Sequence, residues 1–109
     1  MVAYNQLVRD RVPDIITKAG KKVYLKTLSE QELEEALKNK LQVEVQEYLK
    51  SDRIEELADI LEVVEALAEF RGESMDTIAT IKNERREERG GFDKRLLLRR
   101  IVESGKKTY

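Results

Sequence analysis

The chain contains no cysteine and no histidine. A disulfide framework is therefore impossible, and cysteine usage says nothing about redox compartment. Thiolate nucleophiles, Ser–His pairs and zinc sites built on sulfur or imidazole are excluded with them. Carboxylate, Lys, Arg, Tyr and an oxygen-ligated metal are what remains for chemistry. No apolar run approaches the roughly 18 residues that mark a membrane span. No leader pattern opens the chain, so a cytoplasmic protein is the default expectation. Proline occurs once in 109 residues and aromatic side chains make up only 6%. The charged fraction is 39%, against about 25% in ordinary globular domains. This is the composition of one small, solvated, helix-rich domain with a modest core.

What is present centres on Leu33 to Phe70, which reads as two helices joined at Leu49–Arg53. At about 100° per residue, the first helix places Leu33, Leu37, Leu41 and Tyr48 on one stripe, the face expected to bury. Glu44 sits in the middle of that stripe, with Lys40 and Glu47 along its edge. A carboxylate at such a position is costly unless something pairs with it. The second helix has a wide apolar face of Leu57, Ile60, Leu61, Val64, Leu67 and Ala68, and a solvent stripe of Glu55, Glu62, Glu65 and Glu69. Glu56 and Asp59 lie outside that stripe, among Ile60, Val63, Ala66 and Leu67.

Folding the pair into an antiparallel hairpin about Ser51-Asp52 sets Glu44 opposite Asp59 and Glu47 opposite Glu56. Within each helix the acids are three apart and share a face. Four carboxylates then converge among aliphatic groups, and either several protonate or a cation sits between them. A hard divalent ion, Mg²⁺ or Mn²⁺, suits an all-oxygen site. The competing reading is ordinary surface acids on Glu-rich helices. The second helix has apolar neighbours on nearly every side, so a second copy completing a helical bundle is expected. The fold class expected is all-α: this hairpin plus a third helix, in a bundle completed by dimerisation, with short terminal strands as an option.

Charge is unevenly spread. Residues 30–73 hold 14 acids and 5 bases, residues 1–29 hold 6 bases and 2 acids, and residues 82–109 hold 10 bases and 5 acids. An acidic centre between basic ends suits a metal with a polyphosphate, and equally suits self-association. Pro13 is placed to open a short helix that ends at Gly20. Arg9 and Arg11 flank Asp10; they are read either as phosphate ligands, since the Arg fork matches phosphate oxygens, or as a local salt bridge. Lys21–Thr27 alternates as a strand or an extended arm. Ser29 followed by Glu32 is a capping box for the first long helix, expected to run to about Leu49; the second is expected from about Arg53 to Arg71, before Gly72. Ser74 precedes a third, Met75 to about Arg89, whose last turns carry Lys82, Arg85, Arg86 and Arg89. These are read as dipole-stabilising surface charge or as a phosphate clamp. Gly90-Gly91 breaks that helix. Lys94–Val102 is read as a strand or a last short helix, and the tail Ser104–Tyr109 as frayed. There is no internal repeat or low-complexity segment.

The pattern Glu44-x-x-Glu47 followed by Glu56-x-x-Asp59 on a helical hairpin resembles the signature of the all-α nucleoside triphosphate pyrophosphatases. That superfamily includes MazG-like and phosphoribosyl-ATP pyrophosphohydrolase-like proteins. The opening Tyr4-Asn5-Gln6-Leu7-Val8-Arg9-Asp10-Arg11-Val12-Pro13 and the segment Arg89-Gly90-Gly91-Phe92 resemble the latter branch. The resemblance covers most of the chain, as one domain, 1–109. It implies that Glu44, Glu47, Glu56 and Asp59 bind Mg²⁺, that a nucleoside triphosphate is split into monophosphate and pyrophosphate, and that the protein is a homodimer or homotetramer. Many relatives carry two adjacent Glu at the start of the first motif; here Val43 precedes Glu44.

On this reading Glu44 or Glu47 serves as the base toward a metal-activated water. Arg9, Arg11, Lys40, Lys82, Arg85, Arg86 and Arg89 are candidate phosphate contacts. Two alternatives stand beside it: a phosphoribosyl-ATP pyrophosphohydrolase, and a non-catalytic helical dimerisation or regulatory module. Nucleic-acid binding is not expected, because the basic residues are split between the two ends and interleaved with acids.

Overall fold

The computed structural model describes residues 5–103. It is built from four helices: α1 (Val12–Lys18), α2 (Glu30–Ser51), α3 (Ile54–Phe70) and α4 (Met75–Arg89). No strand occurs among the described residues, so the all-α expectation holds and the optional terminal strands are absent there. Neither Lys21–Thr27 nor Lys94–Val102 forms a strand or a helix. Tyr4 of the opening motif and the tail Ser104–Tyr109 lie outside the described residues. The chain divides into two compact units, Met1–Ile78 and Ala79–Tyr109, with the boundary inside α4.

The start of α2 follows from two side chains. The Ser29 hydroxyl accepts from the Glu32 N–H at 3.2 Å, and the Glu32 carboxylate accepts from the Ser29 N–H at 3.1 Å. Lys26 donates to the other Glu32 oxygen at 2.7 Å. The Lys26 hydrogen bond first, and the two bonds with Ser29 after it, hold the Glu32 carboxyl well below its ordinary 4.5, at about 2.

The first long helix ends at Ser51, and Asp52 takes the left-handed conformation (φ 55°) as its cap. Only Asp52 and Arg53 connect the long helices. Since α2 and α3 pack on each other, so short a connector makes them antiparallel. Leu37 is buried on α2, with Leu33, Leu41 and Tyr48 half-buried beside it. That stripe is the one the periodicity predicts. On α3 the buried residues are Val63 and Ala68, with Ile60, Val64 and Leu67 half-buried. Here the structure corrects the sequence reading in two places. Leu57 and Leu61 belong to an exposed face, and Glu65 is half-buried and not part of the solvent stripe. The reason is that α3 is apolar almost all round. One neighbour covers one side only, and the side α2 covers carries Glu56 and Asp59.

The end of α3 is fixed by Gly72, whose φ of 77° is in the left-handed region. The Gly72 N–H donates to the Glu69 carbonyl at 2.9 Å and the Glu73 N–H to the Ala68 carbonyl at 2.8 Å. These are the paired bonds of a Schellman motif. A Cβ at position 72 would meet nothing within 4 Å, so the cost of a side chain is purely conformational.

Two outcomes are expected. Gly72→Ala should lower stability by about 1–2 kcal/mol, the left-handed penalty, read as a shift in denaturant midpoint with unchanged slope. Glu32 contributes through a depressed carboxyl. Its contribution is complete above pH 4.5 and fades as pH falls toward about 2. Thermal unfolding of wild type and Glu32→Gln should therefore differ at pH 7 and converge across that window.

Candidate functional site

Within the first unit the hairpin brings three of the four predicted acids together. Glu44 comes from α2, and Glu56 and Asp59 come one turn apart from α3. Their carboxylate oxygens lie within 4.8 Å of one another, and each residue is half-buried. Glu47 is exposed and outside this group. Three residues along a helix advance the side chain by about 300°, leaving it roughly 60° off its starting direction. Glu56 and Asp59 have the same offset and straddle the seam on α3, whereas on α2 the seam is centred on Glu44, so Glu47 falls at its solvent edge.

Two cations are built into the cluster. The Lys40 ammonium is 3.1 Å from Glu44, one turn away on α2, and these side chains are only 21% and 13% exposed. The Arg9 guanidinium donates to Asp59 at 2.8 Å from the segment before α1. Their side chains are 55% and 40% exposed, so this pair contributes at most about 1 kcal/mol. Local spacing offers Arg9 only a phosphate or Asp10; its partner is Asp59, 50 residues away. Arg53, which the sequence reading did not nominate, is a third cation here. It pairs with Glu55 at 3.2 Å and stabilises the ionised form of Glu56.

Against Arg53, several effects push the Glu56 carboxyl above its ordinary value. Loss of solvent contributes most, then the Asp59 and Glu44 charges and a carboxyl–carboxyl hydrogen bond with Asp59. The raised carboxyl is the electrostatic signature expected of acids crowded on one seam.

The remaining candidates are distributed differently. Arg11 is exposed beside α1. Lys82, Arg85, Arg86 and Arg89 are exposed on α4 and belong to the second unit. Within that unit the Arg86 guanidinium comes so close to Gly91 that a Cβ there would sit 2.9 Å from it. Gly91 thus gives Arg86 room against the turn, a role separate from the helix-ending left-handed Gly90 (φ 80°). No helix among the described residues is long and apolar enough to cross a membrane. The chain matches no protein-family model, no curated protein and no solved structure.

Removing the Glu56 charge should stabilise the metal-free fold. A carboxyl raised in the folded state costs stability only where it is ionised, above its unfolded value, and costs nothing below 4.5. Glu56→Gln is therefore expected to melt above wild type at pH 7 in chelator, with the gap closing as the pH drops below 4.5. A variant that melts below wild type at pH 7 would contradict the crowding account.

Proposed function

We propose that this chain is a Mg²⁺- or Mn²⁺-dependent nucleoside triphosphate pyrophosphohydrolase, converting an NTP or dNTP to the monophosphate and pyrophosphate. It acts as a homodimer or homotetramer, as in the all-α pyrophosphatases that its sequence resembles. The observation that carries this reading is the convergence of Glu44, Glu56 and Asp59 from two helices, with oxygens within 4.8 Å. The donor set is all carboxylate oxygen, which fits a hard divalent cation. When bound, such an ion supplies charge neutralisation at phosphate and a lowered pKa for an attacking water.

The chain's own residues divide the remaining work. Glu44, Glu56 and Asp59 would hold the ion. Glu44 is already engaged by Lys40. Glu47 makes no ion pair among the described residues and stands at the solvent edge, so it is the better placed acceptor for the proton of the attacking water. Arg9, held to Asp59 by a weak and exposed pair, is free to turn toward a phosphate oxygen. Lys40, shielded and fixed, offsets charge at Glu44. Arg11 is a further phosphate contact.

The test is a panel of NTPs and dNTPs, with phosphoribosyl-ATP beside them, assayed for pyrophosphate in Mg²⁺ and in Mn²⁺. At least one substrate should release it, and Asp59→Asn should lower kcat/KM by about 10- to 100-fold or more with the fold retained. Folded protein with ample metal and no release from any substrate would overturn the enzyme. One observation favours a second reading, a non-catalytic regulatory module: Arg9 and Lys40 already compensate Asp59 and Glu44. On that reading Glu44→Gln and Asp59→Asn leave the biological role unchanged.

A further inference from the structure

Two exposed features have complementary chemistry. The first is the outward side of the hairpin. Ile54, Leu57 and Leu61 lie at helical spacing on α3 and are 72%, 37% and 57% exposed. Glu55, Glu62 and Glu69 run alongside, and α3 carries six acids and no base. The second is the arm that follows α4. Leu96, Leu97 and Leu98 are 84%, 84% and 75% exposed. Around them stand Lys94, Arg95, Arg99 and Arg100, against a single acid, Asp93, in residues 92–102. Three consecutive exposed leucines in a segment without helix or strand are an association surface or a hazard.

We propose that the arm of one copy of this chain lies across the outward face of α3 in a second copy. Its leucines cover Leu57 and Leu61, and its arginines meet Glu62 and Glu55, whose exposed pair with Arg53 is weak enough to be shared. Charge decides between this occupant and the obvious rival, face-to-face packing of two hairpins. The rival sets two outward α3 faces against each other, with the exposed Glu55, Glu62 and Glu69 of one beside those of the other. Like charges juxtaposed in an interface cost several kcal/mol. An acidic stripe meeting a basic arm gains where the rival loses. Exchange about a twofold axis makes the contact twice per dimer, since an isologous interface uses each patch on both subunits. This inference gives a structural element to the self-association proposed above. It stands whether or not the acidic cluster binds metal.

The experiment is charge exchange followed by mixing, read by sedimentation velocity or light scattering on the full chain. One variant carries Arg99→Glu and Arg100→Glu; the other carries Glu55→Lys and Glu62→Lys. All four residues are exposed, and circular dichroism should show unchanged helicity in both. Wild type is expected as a dimer, and each variant alone should self-associate at least about tenfold more weakly. In an equimolar mixture, negative arm meets positive hairpin and positive arm meets negative hairpin, so a dimer of one each should return. Three results would overturn the proposal: a wild type that stays monomeric at the highest concentration reached, variants that dimerise as wild type does, or a mixture without recovery. An arm folded onto its own hairpin predicts the last of these. Failure of the pyrophosphohydrolase reading shows instead in the substrate panel, with oligomeric state untouched.

Discussion

The seam between α2 and α3 is the contact on which the rest of the structure depends. It is the packing that shields Leu37 and Val63, and it is also what partly withdraws Glu44 and Glu56 from water, with Asp59 at its more exposed edge. A helix as apolar as α3 has several sides it could bury. The side it does bury contains two of its six acids. Desolvation of those acids is an opposing cost, visible in the raised carboxyl of Glu56. A fold optimised for stability alone would turn Leu57 and Leu61 inward and leave Glu56 and Asp59 in solvent. A local arrangement that forgoes burial in order to crowd acids is the kind of conflict found at functional sites.

The cations around the cluster are graded in how firmly they are held. Lys40 is anchored one helical turn from Glu44, and both groups are largely shielded. Screening by water is weak there, and the pair is part of the seam. Arg9 reaches Asp59 from outside the hairpin, and both groups remain substantially exposed. Water and salt weaken such a pair, so Arg9 can exchange its partner without disturbing the helices. The cluster thus has one firmly held counter-charge and one loosely held. The same surface has a second consequence. Turning Glu56 and Asp59 inward leaves the Ile54–Leu57–Leu61 stripe outward, so the crowding of the acids and the exposed apolar stripe have one cause.

Much of this is legible in the sequence. Ser29 and Glu32 mark the start of α2 because their side chains satisfy local backbone donors within a single turn. Gly20, Gly72 and Gly90 mark helix ends because each takes a left-handed conformation in the first residues past a helix. The Leu33–Leu37–Leu41–Tyr48 stripe is read correctly because most apolar residues of α2 fall on it, and Val45 and Leu49 off its edge remain exposed. Periodicity fails on α3 for the opposite reason: several rotations bury comparable apolar area, and the pattern does not rank them. The acid site is legible in part. Glu44, Glu56 and Asp59 are found by asking which carboxylates fall off the solvent stripe. Glu47 separates from them because the seam on α2 is centred on Glu44, while on α3 it lies between Glu56 and Asp59.

The amino-acid sequence by itself settled the helices, their ends, the exclusion of thiol, imidazole and disulfide chemistry, and the nomination of an oxygen-ligand site. Those properties depend on composition or on groups within about four residues of one another, where the geometry of the helix leaves little choice. Tertiary structure alone decided which side of α3 meets α2, that three acids and not four share the seam, and that Arg9 neutralises Asp59. Those outcomes depend on the rotation of one helix against another and on a pairing across 50 residues. No local pattern encodes either of them.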